Sequence, residues 1–227
     1  MDRLEALAKF AEKGTVVADI GCDHGLLGKK LLLEYGIKKV IASDVSEASL
    51  GKAARLAAEN GITGKMETRL GNGLCVLKPK EADTIVIAGM GGMQMIEILQ
   101  QGEAVAKNAD RLVLLPHRNA YELRKYLCQN GYRIDDEALA LENGRYYQII
   151  FARAGKERAR DKYALVLGWK TAENNDPLLC GFLTAEIKKH RAILQKADGR
   201  ENDAEYIENL RRTIEHMEGM LDEIKRR

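Results

Sequence analysis

Two carboxylates, an imidazole and two glycines crowd one short stretch of this chain, Asp19-Ile20-Gly21-Cys22-Asp23-His24-Gly25, and a further carboxylate, Asp44, closes the next apolar run. Gly21 and Gly25 allow the backbone to approach a ligand closely, and Asp44 can accept hydrogen bonds from both hydroxyls of a ribose. The spacing is Gly-x-x-x-Gly, not the dinucleotide Gly-x-Gly-x-x-Gly, and no Lys-Ser/Thr follows to cradle phosphate. Asp19 and Asp23 would repel a pyrophosphate. They suit a ligand that carries an ammonium and a sulfonium, which points to S-adenosylmethionine and away from NAD.

These residues need a strand, a turn and a helix to hold them, and the apolar pattern supplies each. Val16–Ile20 reads as a strand, Leu26–Tyr35 as a helix and Val40–Ser43 as the next strand; Leu4, Leu7, Ala8 and Phe10 predict a lead-in helix. Helix Leu50–Asn60 stops at Gly61, Met66–Leu70 is a strand entering the Gly71-Asn72-Gly73 turn, and Asp83–Ala88 is continuously apolar, as buried parallel strands tend to be. Helix Met93–Gln101, strand Leu112–Pro116 and helix Tyr121–Asn130 continue the alternation. The runs Arg133–Leu141 and Tyr146–Ala152 flank an Asn143-Gly144 hairpin turn. An α/β, Rossmann-like domain that ends in a β-hairpin is the fold of S-adenosylmethionine-dependent methyltransferases.

Beyond the cofactor motif, Gly89-Met90-Gly91-Gly92 follows a buried strand at the crevice lip. Its glycines would let backbone carbonyls and amides line the methyl donor and an incoming base; the alternative is an ordinary strand-to-helix turn. An Asn/Asp-Pro-Pro-aromatic motif, which grips an exocyclic amine in many N6-adenine methyltransferases, is absent here, and that fits attack by a ring nitrogen. His117 and Tyr121, just past Pro116, could stack on or hydrogen-bond a flipped base. Asp23 and His117 are the candidate catalytic side chains, Asp23 as a carboxylate near a developing cation, although Asp23 and His24 could equally cap the following helix.

Asp19-Ile20-Gly21-x-Asp23-His24, Ala42-Ser43-Asp44-Val45, Gly71-x-Gly73-Leu74 and Asp83-Thr84-Ile85-Val86-Ile87-Ala88-Gly89-Met90-Gly91-Gly92 together resemble the bacterial tRNA adenine-N1 methyltransferases that modify adenine 22, in the D-arm region of tRNA. Tyr121-x-Leu123-Arg124-x-x-Leu127-x-x-Asn130-Gly131-Tyr132 and Glu142-Asn143-Gly144-Arg145-x-Tyr147 carry the likeness to about residue 152. The resemblance implies cofactor contacts from Asp19, Gly21, Asp23, His24, Gly25, Asp44, Val45, Gly71, Asn72, Gly73, Ala88, Gly89 and Met90. Gly91, Gly92, Pro116, His117 and Tyr121 at the crevice lip are the expected substrate contacts, and Arg118, Arg124 and Lys125 after the fifth strand offer basic surface for RNA. Two departures stand out: Asn72 replaces the family's aspartate, and Leu115-Pro116-His117 replaces Gln-Pro-Asn.

Composition sets the remaining bounds. No apolar stretch reaches the roughly 18 residues of a membrane span, no secretory leader is evident, and Cys22, Cys75, Cys128 and Cys180 form no Cys-x-x-Cys pair. A cytoplasmic location with reduced thiols and no metal is expected. Net charge is only +2, so RNA contact must be local. Residues 153–170 hold six basic and two acidic side chains, among them Arg158, Arg160 and Lys162, and offer an RNA-contacting run or a merely solvated face. From about residue 156 the chain reads as a helical tail. Ile207, Leu210, Ile214, Met217, Leu221 and Ile224 repeat every three or four residues, facing a seam of Leu183, Ile187, His190 and Leu194 across a break at Asp198-Gly199. This predicts an antiparallel coiled-coil hairpin, with His216 off the seam, that either holds tRNA or forms a weak homodimer; otherwise the protein is a monomer. Two readings remain beside tRNA methylation: a small-molecule methyltransferase of the same fold, and a catalytically silent protein that binds the cofactor or RNA.

Overall fold

The computed structural model describes residues 2–12, 14–158, 160–197 and 204–226. The chain opens with helix α1 (Arg3–Ala11), whose first turn is closed by Asp2 accepting from the Glu5 amide at 2.8 Å. It then alternates β1 (Val16–Ile20), α2 (Leu26–Glu34), β2 (Lys39–Asp44), α3 (Glu47–Glu59) and β3 (Met66–Leu70). A single 3-10 turn (Gly73–Val76) leads to β4 (Thr84–Met90), α4 (Gly92–Gln101), the short α5 (Glu103–Ala106), β5 (Arg111–Pro116) and α6 (Ala120–Gln129). The hairpin β6 (Tyr132–Glu142) and β7 (Arg145–Ala154) follows, then α7 (Lys162–Leu167), α8 (Trp169–Glu173), α9 (Leu179–Ala197) and α10 (Ala204–Arg226).

The strands form one sheet in the order β3-β2-β1-β4-β5-β7-β6. β1 to β5 are parallel, and β7 inserts antiparallel between β5 and β6. The chain runs outward from β1 through β2 to β3, then returns to the other side of β1 as β4. That reversal opens a crevice beyond the carboxyl ends of β1 and β4, where open α/β sheets bind ligands. Two apolar layers clamp the sheet, one around Ile85, Ile87, Leu112 and Leu114 and the other around Val17, Val40, Val86 and Val113. Every expected element is present. α3 starts three residues before the expected Leu50 because Ser46 caps it, accepting from the Ser49 amide, and it ends where Gly61 takes φ 66°.

A buried ion pair ties the far side together. Arg124 and Glu137 are both buried and meet at 2.6 Å. Arg124 also donates to Gln148 of β7 at 2.8 Å and to the Leu165 carbonyl of α7, and the Lys170 amide of α8 donates to Glu137. Gly168 joins α7 to α8 at φ 79°, and a Cβ there would lie 2.6 Å from the guanidinium. Sequence reasoning set Arg124 against substrate; the structure corrects this, because the side chain is spent on packing.

Helices α9 and α10 pack on each other through Leu183, Ile187, Leu210, Ile214 and Met217, and Arg191 pairs with Glu218 across them at 2.6 Å. Leu139 of β6 and Leu167 of α7 join the same cluster, so the helical pair is docked onto the sheet's extension. The break expected at Asp198-Gly199 lies outside the described residues. His216 is exposed as expected, but its ring stacks on Tyr163 at 4.1 Å, a contact that periodicity does not reveal.

Removing one member of the buried pair strands the other charge. Arg124→Met should cost about 3–5 kcal/mol of unfolding free energy, and Arg124→Met/Glu137→Leu should recover most of that loss in urea titrations.

Candidate functional site

The crevice is a cleft of about 480 Å³. β1 delivers Asp19 to its floor and then turns sharply: Gly21 takes φ 75°, and the Gly21 and Cys22 amides both donate to the Ser43 carbonyl at 2.8 and 2.9 Å. That pinches the turn against the end of β2, where Asp44 projects. The Asp44 carboxylate is fixed by the backbone amides of Asp23, at 3.1 Å, and Ser46, at 2.9 Å. Asp23 sits at φ 48° and its carboxylate takes a contact from His24 Nδ1 at 2.7 Å. It does not cap α2, whose first turn has no side-chain cap.

Twelve of the thirteen residues expected to hold the cofactor line this one cleft: Asp19, Gly21, Asp23, His24, Asp44, Val45, Gly71, Asn72, Gly73, Ala88, Gly89 and Met90. The exception is Gly25. Its φ is 71°, and a Cβ would come within 3.0 Å of Ala53, so this glycine serves the packing of α2 on α3. A register shift between Ala88 and Met90 turns Gly89 out of the β4–β5 ladder at φ 80°, with open space where a Cβ would stand.

Electrostatics define what the cleft can take. Asp19 is buried, and among the described residues no hydrogen-bond donor reaches its carboxylate. Burial, reinforced by the Asp44 charge, pushes its pKa up to about 7. Ser43 Oγ on the same wall is buried and has no hydrogen-bond partner among the described residues. The apolar side chains of Leu26 and Val45 are exposed at 53% and 70% on the cleft's rim, where a flat ring could cover them. A cationic ligand with a hydroxylated sugar and a heterocycle fits this donor set, and S-adenosylmethionine has all three parts. Burial first, then the neighbouring Asp19 charge, pushes the Cys22 thiol up to about 12, so it is no nucleophile at neutral pH.

A second cleft of about 600 Å³ lies beside the first and shares His117 with it. Its walls are the Pro116–Glu122 lip, the Gly144–Gln148 segment and Phe182–His190 of α9. Pro116, His117 and Tyr121 therefore stand together as expected. Gly91 and Gly92 line neither cleft: a Cβ on Gly92 would fall 2.3 Å from the Asn119 carbonyl oxygen, so this glycine lets α4 start against the Arg118–Asn119 loop. Arg158, Arg160 and Lys162 also lie away from both clefts. Arg158 is exposed, Arg160 lies over the Trp169 ring at 4.5 Å and pairs with Glu157, and Lys162 donates to Asn209 of α10. Sequence reasoning missed Arg3, Leu4 and Leu7 of α1, Gln94 of α4, and Arg145 of the hairpin, all of which line a cleft. The amphipathic pattern of α1 was visible, but nothing in it tells which mouth the helix will cover.

The family model described as a methyltransferase domain matches residues 1–150. The tRNA (adenine(22)-N(1))-methyltransferase of Bacillus subtilis is 31% identical over 229 residues, 94% of this chain and 96% of that protein. The chain belongs to the tRNA (adenine(22)-N1)-methyltransferase family. Solved structures agree along the whole length. The crystal structure of the B. subtilis m1A22 tRNA methyltransferase superposes with a TM-score of 0.81 at 28% identity, over 98% of this chain and 97% of that one. The Mycoplasma capricolum family member, in complex with S-adenosylhomocysteine, gives 0.81 at 26% identity over 98% and 97%.

The raised pKa of Asp19 has a definite sign. The folded, ligand-free protein holds a proton there that the unfolded chain has lost, so stability falls as pH rises from about 4 to about 7 and stays low above. Asp19→Asn should stabilise the ligand-free protein at pH 8 by on the order of 2–4 kcal/mol, and this gain should vanish near pH 4 in thermal melts at the two pH values.

Proposed function

We propose that this chain transfers the methyl group of S-adenosylmethionine to N1 of adenine 22 in tRNA. The observation that carries this reading is the pair of clefts that meet at His117, one acidic and shaped for the cofactor, the other wide and open toward α9. Asp19 receives the ammonium end of the cofactor, Asp44 the ribose hydroxyls, and Val45 with the Gly71-Asn72-Gly73 turn the adenine ring. Asn72 can still offer an amide oxygen to the adenine amine, although without the charge of an aspartate.

The cofactor supplies an electrophilic methyl group on sulfonium. Adenine N1 carries an in-plane lone pair that is free at neutral pH, so forming the N1–methyl bond as the sulfur–methyl bond breaks requires no general base. Alignment of the two partners supplies most of the acceleration. The chain's part is to exclude water, hold the base edge-on and tolerate a cationic product. His117 suits the last task. Burial, and then the charges of Arg145 and Arg3, hold its imidazole below the usual range, so it stays neutral and does not repel the methylated base. The Asp23 carboxylate at the cleft mouth can offset the product's charge.

N1 lies on the Watson–Crick edge and is reached only in an unpaired or everted base. The wide cleft gives the displaced nucleotide room, and α9 forms its outer wall. In this reading residues 1–155 hold the cofactor, perform the transfer and line most of the wide cleft, while residues 156–227 help to hold the RNA. Both clefts are built within one chain, so a monomer suffices, and tRNA as substrate places the enzyme in the cytoplasm.

Incubation with labelled S-adenosylmethionine and unmodified tRNA transcripts, followed by nucleoside mapping, should yield 1-methyladenosine at position 22. Methylation at another base, or none by a protein that still binds the cofactor, would overturn the target. Asp44→Asn should weaken cofactor binding at least about tenfold by calorimetry, roughly 1.4 kcal/mol, with the melting temperature close to wild type.

A further inference from the structure

Where the two clefts meet, two guanidiniums gather on one aromatic ring. Arg3 of α1 and Arg145 of β7 lie over Tyr147 at 5.4 and 5.3 Å from its centroid, and the His117 ring packs against Tyr147 at 5.8 Å. Arg3 donates to His117 Nε2 at 3.4 Å. An arginine can only donate, so the ring proton of the neutral imidazole resides on Nδ1. Arg145 donates to the His117 carbonyl at 3.3 Å. These contacts bind the hairpin, α1 and the β5 lip into one unit.

The charges of this unit do not balance. Glu142 answers Arg3 at 3.5 Å, but among the described residues neither Arg145 nor its exposed neighbour Arg118 forms an ion pair. On the opposite wall Glu186 is engaged by Lys189 at 3.2 Å, which leaves Glu122 as the remaining carboxylate lining the wide cleft. Two cations that line one cleft and, among the described residues, form no ion pair, one of them fixed by a ring and a carbonyl, suit an anion. The Asn143-Gly144 turn, with φ of 49° and 74°, sets Arg145 at the first position of β7, so its direction is set by the hairpin.

We propose that Arg145 and Arg118 grip the RNA phosphates beside the target adenosine, with the Tyr147 ring holding the Arg145 guanidinium in position. This rests on the tRNA reading above. The chemistry favours a nucleotide: phosphates meet guanidiniums in a cleft that also offers a base the rings of Tyr121, Tyr146 and His117, and His117 lines the acidic cleft as well. A small-molecule acceptor would need no phosphate grip at that junction.

The test uses the full-length enzyme with unmodified tRNA transcript. Arg145→Ala and Arg118→Ala should each raise KM for tRNA roughly tenfold and lower the slope of log affinity against log salt by about 0.7–1, while the calorimetric Kd for S-adenosylmethionine stays within twofold. Tyr147→Leu, which frees Arg145, should raise KM for tRNA severalfold, with Tyr147→Phe, which keeps the ring, restoring it. A wild type that methylates tRNA alongside arginine variants with unchanged KM and salt slope would overturn this inference alone. An unchanged KM in Tyr147→Leu would remove the ring's part in holding Arg145. A wild type that binds cofactor but no tRNA would overturn both this inference and the reading beneath it.

Discussion

A guanidinium and a carboxylate, both withdrawn from water, hold the two halves of this molecule in register. Arg124 leaves α6, Glu137 leaves β6, and the contacts that satisfy them come from β7, from the end of α7 and from the start of α8. Withdrawing either charge from water is costly, and only a complete set of partners offsets that cost. The set is complete only when hairpin, helix and tail are all in place. α6 follows the Pro116–Asn119 lip directly, and β7 carries Arg145 and Tyr146, so the same network fixes the two sides of the wide cleft. Gly168 is its steric condition, since any side chain there would enter the ion pair.

The catalytic half was legible because its signals are local. A glycine at positive φ, an acid at a strand end and a continuous apolar run each report on their own few residues, and the parallel order follows from the alternation of helix and strand. Asp44 could be placed from the turn that precedes it; of its two backbone amide donors Asp23 belongs to that turn, while Ser46 follows Asp44 in the chain. The errors share one cause. Arg124, Gly25, Gly92 and Arg160 carry types that suit ligand contact, yet each faces a partner distant in sequence: Glu137 and Gln148, Ala53, the Asn119 carbonyl and Trp169. Residue type announces that a glycine or an arginine is needed; only the packed chain tells what needs it. Arg3 was invisible for the same reason, since its place at the cleft mouth depends on how α1 crosses the sheet.

The two clefts have opposite electrostatic characters, and both are in tension. Asp19 lies in the acidic cleft under the influence of a second carboxylate; the wide cleft carries Arg118 and Arg145, which form no ion pair among the described residues. Neither arrangement serves the stability of the ligand-free chain. Each becomes favourable when a ligand of the complementary charge arrives, a sulfonium-bearing amino acid on one side and a polyanion on the other. His117 stands between them uncharged, so the boundary itself favours neither. Affinity has been placed where folding alone would have removed it.

The insertion of β7 between β5 and β6 has a temporal side. Every residue lining the acidic cleft lies between Arg3 and His117, whereas the wide cleft also requires the hairpin turn and a helix that reaches His190. A chain made from its N-terminus therefore releases the whole cofactor wall before the substrate wall exists. Until β7 arrives, the edge of β5 lacks its neighbour. The last parallel strand must wait, unpaired on that side, for a hairpin that is synthesised after it and then slides in as the penultimate strand. Completion of the sheet thus gives the substrate groove its second wall, and α9 then supplies the third.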